Sequence, residues 1–104
     1  MYSFDIQVDR NLRGKQLETA GDYLRAIELY ELNIKENFEG SFPYRRLSVF
    51  YRKRKMYQDE IRVLEKAISV FKPLLGTGRA DIKPKLEEFR IRLEKSRQKV
   101  NKVQ

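Results

Sequence analysis

The feature that most constrains this chain is its similarity to itself at a shift of 34 residues. The aligned apolar pairs are Tyr23 with Tyr57, Ile27 with Ile61, Leu29 with Val63, Tyr30 with Leu64 and Ile34 with Ile68. At the same shift Gly14 aligns with Ser48, and Leu17 aligns with Tyr51. A pattern that recurs at this period indicates two copies of one helical hairpin.

The second copy, within residues 43–71, shows the hairpin most clearly. Its apolar residues recur at three- and four-residue steps in two stripes, and each stripe marks the buried face of an amphipathic helix. The stripes consist of Tyr44, Leu47, Phe50 and Tyr51, followed by Tyr57, Ile61, Leu64, Ala67, Ile68 and Phe71. Only RKRKM separates them, which leaves room for a tight reversal but not for another element. In the first copy, Gly21 is expected to end one helix and Asp22 to cap the next.

This arrangement of small and aromatic residues resembles the tetratricopeptide repeat. The first helix of that family carries a large aromatic residue, a leucine, a small residue and a second aromatic residue, which match Tyr44, Leu47, Ser48 and Tyr51. Its second helix carries a small residue, an aromatic residue one turn later and a late small residue, which match Ala26, Tyr30 and Ala67. The chain departs from the family pattern at Arg10, Arg13, Asn33, Lys55 and Glu60.

The resemblance covers residues 10–72 and implies an all-α fold. The expected architecture is a five-helix right-handed solenoid of two hairpins, closed by a solvating helix. Residues 10–104 are expected to form a single domain. Its parts are repeat 1 at about 10–40, repeat 2 at about 41–72, a linker at 73–80 and a capping helix at about 81–101.

Residues 1–9 alternate apolar and polar side chains, which favours an extended arm. The arm would lead into a helix that starts near Asp9. The helical spacing of Phe4, Val8 and Leu12 leaves a longer helix as the alternative.

The composition points away from catalysis. The chain has no cysteine and no histidine, which excludes thiolate and imidazole chemistry and most zinc sites. Neighbouring carboxylates such as Asp59 and Glu60 point about 100° apart on a helix, so they cannot act on one substrate. The tyrosines at repeat-core positions, where packing explains them, are Tyr23, Tyr30, Tyr44, Tyr51 and Tyr57. We therefore expect neither an enzyme nor a cofactor or metal.

The hydropathy pattern favours a cytoplasmic protein without a membrane partner. No apolar run approaches the ~20 residues that cross a bilayer. The first ten residues also lack a basic segment that leads into an apolar signal sequence.

The resemblance implies a concave groove lined by the first helix of each hairpin, which the family typically uses to bind peptides. The residues expected to face it are Asn11, Lys15, Phe42, Arg45, Arg46, Val49, Arg52 and Lys53. Cations around an apolar patch suit an extended acidic peptide, because they pair with carboxylates while the patch takes side chains. The family's clamp for a C-terminal carboxylate is not predicted, since Pro84 and Glu88 stand at the corresponding places of the last helix.

Two other functions compete with peptide binding. The net charge of +8 arises in residues 53–104, which carry fifteen basic and seven acidic side chains, against eight of each in residues 1–52. This asymmetry favours a nucleic acid that contacts YRKRK at 51–55 and the basic last helix. The third alternative is a structural module of a larger protein or a homodimer, because a short array leaves its apolar ends uncovered.

Overall fold

The computed structural model describes residues 3–103, and within this range the chain forms five α-helices and no strand. The helices are α1 (Phe4–Thr19), α2 (Tyr23–Lys35), α3 (Phe42–Lys53), α4 (Tyr57–Phe71) and α5 (Ile82–Val103), with a 3-10 turn at Lys72–Leu74. Each helix packs against the next one along the chain, and α2 also touches α4. The predicted all-α class is confirmed.

The first helix begins at Phe4, so the prediction of an extended arm over residues 1–9 is wrong from that residue onward. Asp5 places a negative charge in the first helical turn, where the helix dipole favours it. The backbone carbonyl of Gln7 accepts a hydrogen bond of 2.8 Å from the Asn33 amide on α2. The pattern of apolar residues in a sequence does not reveal such polar contacts between helices. The first two residues of the predicted arm lie outside the described residues.

The two hairpins turn in the same way at positions 34 residues apart. Helices α1 and α3 end at Thr19 and Lys53, and helices α2 and α4 begin at Tyr23 and Tyr57. Two residues beyond each end, Gly21 and Lys55 adopt the left-handed conformation, with φ of 82° and 59°. The amides of each of these residues and its successor bond back to carbonyls of the preceding helix, which is the Schellman motif. The self-similarity of the sequence therefore corresponds to one turn geometry used twice.

Replacing Lys55 with glycine is expected to stabilise the protein by about 1 kcal/mol, because the lysine Cβ makes the left-handed conformation unfavourable. Replacing Gly21 with alanine should destabilise it by about the same amount. Apart from Gly21 and its two neighbours, no atom of the described residues lies within 4 Å of the position that a Cβ would take there, so the strain would arise from the backbone alone. Thermal unfolding followed by circular dichroism measures both effects. Two variants as stable as the parent would contradict the left-handed assignment.

The apolar core is built mainly by α3, α4 and α5. Tyr44, Phe71 and Phe89, one from each helix, are fully buried, and their ring centroids lie 5.5 to 6.1 Å apart. Helix α1 buries Gln7 and Gly14, and its Leu17 is partly buried against the core. Hydrogen bonds between α1 and Asn33 of α2 add to this contact. The second hairpin and α5 therefore supply most of the apolar core, and α1 is held by hydrogen bonds together with a smaller apolar contact.

The predicted burial of the tyrosines is correct for three of the five. Tyr30, Tyr44 and Tyr51 are at most 7% exposed, whereas Tyr23 is 45% exposed and Tyr57 is only partly buried. The last two are the first residues of α2 and α4. Their side chains lie at the edge of the packed layer because the turn before each helix is open to solvent.

Candidate functional site

The predicted binding residues lie on one face of α3 and on the adjoining part of α1. At about 100° per residue, the six on α3 fall within an arc of about 120°. They are Phe42, Arg45, Arg46, Val49, Arg52 and Lys53.

Two depressions flank this face, and we name each after the helix that forms it together with α3. The α1 depression, of about 410 Å³, is lined by Lys15, Glu18, Thr19, Tyr23, Phe42, Arg46 and Lys53. The α5 depression, of about 640 Å³, is lined by Arg52, Pro84, Glu87, Glu88, Ile91, Arg92 and Lys95.

The α1 depression combines aromatic side chains with unpaired cations. Phe42 is partly exposed and meets Tyr30 edge-on, with ring centroids 5.6 Å apart. Tyr23 is half-exposed at the rim. Lys15 and Lys53 are exposed, and neither forms a salt bridge with any residue that the structure describes. The depression therefore offers apolar contact beside two free ammonium groups.

The third cation of the α1 depression, Arg46, is already paired. Its guanidinium donates two hydrogen bonds to the Glu18 carboxylate of α1, and the Tyr30 hydroxyl donates a third to the same group. Burial acts to raise the pKa of Glu18, but the hydrogen bonds from Arg46 and Tyr30 and the positive charges of Arg46 and Lys53 together outweigh it, so this pKa lies below its usual value. Burial and the bond to Glu18 raise the pKa of Tyr30. Glu18 thus remains ionised and neutralises Arg46.

On the other side of the face, Arg45 is engaged by α5. Its Nε and Nη2 atoms donate to the two oxygens of Glu88 at 3.0 and 2.9 Å, which is the bidentate geometry of a strong ion pair. Arg92 donates to the same carboxylate at 3.1 Å. The hydrogen bond from Arg45 is the main cause that lowers the pKa of Glu88, against the opposing effect of burial. Arg45, which the sequence analysis assigned to an acidic ligand, is therefore already paired with Glu88 of the same chain.

Two further predicted residues are also engaged within the protein. The Nε atom of Arg52 lies 3.0 Å from Oε2 of Glu60, whose side chain is 1% exposed. The side-chain oxygen of Asn11 accepts a hydrogen bond of 2.9 Å from Asn33 on α2. Val49 is partly buried and lies, by its helical position, between the two depressions. The structure brings Lys15 and the predicted positions of α3 onto one surface, whereas Asn11 contacts α2, and three arginines of this surface already have internal carboxylate partners.

Sequence reasoning missed three residues of this surface. Tyr23 was assigned to the core, Ile91 was assigned to no binding surface, and Lys95 was assigned only to the nucleic-acid alternative, as part of the basic last helix. Ile91 is 49% exposed, and Lys95 forms no salt bridge among residues 3–103. A signal for Ile91 and Lys95 was present, because Pro84, Glu88, Ile91 and Lys95 recur at three- and four-residue steps on α5, away from its buried stripe.

None of the helices in the described part of the chain is both long and apolar enough to span a membrane. Comparison with protein-family models, curated proteins and solved structures gives no match for this chain. The resemblance to the tetratricopeptide repeat therefore stays a prediction, based on the sequence pattern alone.

Proposed function

We propose that this protein is a non-catalytic interaction module, and that it binds an extended acidic segment of a partner protein across the exposed face of α3. The proposal includes the predicted architecture, in which the two hairpins and α5 form a right-handed tetratricopeptide-like solenoid with this face on its concave side. The observation that carries it is the α1 depression, where Lys15 and Lys53 form no salt bridge within residues 3–103 and lie beside the partly exposed Phe42 and the half-exposed Tyr23.

The chemistry of the α1 depression favours a ligand that has both carboxylates and bulky apolar side chains. Free ammonium groups attract anions and can pair with them, and aromatic surfaces contribute to affinity by burying apolar area. The arginines of the same face are held by Glu18, Glu60 and Glu88, which fixes their side chains and leaves less positive charge for a ligand. Selectivity for acidic segments therefore rests on the lysines.

The α5 depression gives the same ligand a second contact. Ile91 supplies an exposed apolar surface, and Lys95 supplies another cation without a carboxylate partner in the described residues. Val49 lies between the two depressions, so a chain that crosses α3 would pass over an apolar side chain. An extended segment advances about 3.3 Å per residue with alternating side-chain directions, so it can present acidic and apolar groups to both depressions.

Replacing both Lys15 and Lys53 with glutamate is expected to weaken the binding of acidic peptides by about tenfold or more, because like charges would then face the ligand. The probes are fluorescein-labelled peptides in which Asp and Glu alternate with Leu and Phe, and fluorescence anisotropy measures their affinity. The matched control is Lys72→Glu with Lys83→Glu, which changes the net charge equally at exposed residues outside both depressions. This control should retain parental affinity.

Equal loss of affinity in the two double variants would contradict the proposal, because binding would then depend on net charge and not on the α1 depression. Failure of the parent protein to bind any of the acidic peptides would contradict it as well. Circular dichroism of all variants establishes that the helices are retained.

Random-sequence DNA and RNA are the probes that separate this proposal from nucleic-acid binding. Arg92 and Arg97 on α5 are paired with Glu88 and Glu65, and the buried Tyr44 and Tyr51 rings cannot stack on bases. We therefore expect weak binding that falls steeply with salt and is lost equally in both double variants. Tight binding of nucleic acid at physiological salt would favour the alternative.

A further inference from the structure

The first hairpin has an open surface on the side that faces away from α3 and α4. A depression of about 420 Å³ lies there between α1 and α2, and its lining consists of Arg13, Gln16, Leu17, Arg25, Glu28 and Leu29. By their helical positions, Ile6 lies on the same side of α1 as Arg13, and Leu32 on the same side of α2 as Arg25. Ile6 is 55% and Leu32 is 39% exposed. We name these eight residues the end face.

The internal repeat indicates what kind of surface the end face is. At the shift of 34 residues its central members, Arg13, Leu17, Glu28 and Leu29, correspond to Leu47, Tyr51, Arg62 and Val63. In the second hairpin, Leu47 and Val63 are fully buried. Tyr51 and Arg62 both bind the Glu31 carboxylate of α2, at 2.9 and 2.7 Å. The surface that the second hairpin buries against the first is therefore left uncovered in the first hairpin.

The charges of the end face suit a second copy of the same surface. Arg13 and Arg25 are about two-thirds exposed or more, and their only salt bridges in the described residues are local ones, at 3.9 Å to Asp9 and 3.6 Å to Asp22. Glu28 is exposed and forms no salt bridge within residues 3–103. A patch that carries both signs of charge around apolar residues can pair with a second copy of itself, when a two-fold axis places the basic groups of one copy against the acidic group of the other.

We propose that the end face is a homodimer interface, in which two copies pair through α1 and α2 about a two-fold axis. Arg13 and Arg25 of one copy face Glu28 of the other, and the leucines of both copies close the depression. The interface lies away from the exposed face of α3, so each copy keeps its own partner-binding surface. This inference does not depend on the proposed function.

A charge-swap experiment tests the pairing. In the first variant Glu28→Arg makes the end face entirely basic, and in the second Arg13→Glu with Arg25→Glu makes it entirely acidic. Each variant alone is expected to dimerise about tenfold more weakly than the parent, because like charges then face each other. An equimolar mixture of the two variants should form a heterodimer at least as stable as the parent dimer. Sedimentation velocity over about a hundredfold range of concentration measures the dimerisation of the parent, of each variant and of the mixture.

The controls are Glu87→Arg for the first variant and Lys72→Glu with Lys83→Glu for the second, since these make the same charge changes at exposed residues away from the end face. Both controls should dimerise like the parent. A parent protein that remains monomeric throughout the concentration range would overturn the proposal. The proposal would also be overturned if Glu28→Arg and Arg13→Glu with Arg25→Glu each dimerised like the parent, because the dimer would then use another surface.

Discussion

Replacing Phe89 with alanine is expected to destabilise the protein by about 4 kcal/mol. The side chain is fully buried, and its ring stacks on Phe71 at 5.5 Å and meets Tyr44 edge-on at 6.1 Å. Its removal loses the transfer free energy of the ring and the aromatic contacts, and it leaves a cavity that three helices border. A domain of this size has a total stability of about 5 to 15 kcal/mol, so the loss would be a large fraction of it. Urea unfolding followed by circular dichroism measures the change.

The control for this prediction is Ile91→Ala, two residues further along the same helix. Ile91 is 49% exposed, so truncating it should change the free energy of unfolding by no more than about 0.5 kcal/mol. A similar loss in both variants would show that α5 is not held by the aromatic cluster. Because Ile91 lines the α5 depression, the same control variant should reduce peptide affinity while leaving the fold intact.

The second hairpin was the most predictable part of the fold, because local signals and packing agree there. The stripes that contain Tyr44 and Leu64 each have a helical period, and both residues are fully buried. The turn between them was located from RKRKM, and the repeat assigned Lys55 to the place of Gly21. Both residues have the same left-handed conformation. Apolar periodicity predicts a helix well when the apolar stripe of that helix is also its buried surface.

The first helix was predictable only in part, since its buried side combines the apolar Leu17 with the polar Gln7 and with Gly14. Phe4 and Leu12 are 63% and 57% exposed, whereas Gln7 is buried against α2. Gly14 allows the Tyr30 ring to approach so closely that an added Cβ would collide with it. Apolar periodicity reports burial of hydrocarbon. It cannot locate an interface made by an amide network and a close backbone approach, so the start of α1 was misjudged.

The positions of the candidate site were predictable, but its charge was not. Helical periodicity places Arg45, Arg46 and Arg52 on one face of α3, as the structure has them. Which carboxylate each one meets depends on contacts with α1, α4 and α5, between residues far apart in sequence except for Arg52 and Glu60. Lys15 and Lys53, which form no salt bridge in the described part of the chain, could be distinguished from these arginines only once the partners of the arginines were known.

Replacing Arg52 with methionine is expected to destabilise the protein by about 3 kcal/mol, because it leaves Glu60 as a buried charge without a partner. The Glu60 side chain is 1% exposed, and its Oε1 atom has no hydrogen-bond partner among the described residues even in the parent. The Arg52 guanidinium is then the one cation that compensates this carboxylate in the described part of the chain. Chemical unfolding of Arg52→Met measures the loss.

The double variant Arg52→Met with Glu60→Met should recover to within about 1 kcal/mol of the parent, since an apolar pair of similar volume replaces a buried ion pair at little cost. The coupling free energy between the two positions would then be about 2 to 3 kcal/mol. A double variant no more stable than Arg52→Met would contradict this explanation.

The same comparison decides how Arg52 can be used in binding experiments. A charge reversal at Arg52 alone would place a second carboxylate beside the buried Glu60, so a loss of peptide binding could not be separated from damage to the fold. The double variant, by contrast, lacks the Arg52 charge and keeps the fold, so its peptide affinity shows what that charge contributes to binding.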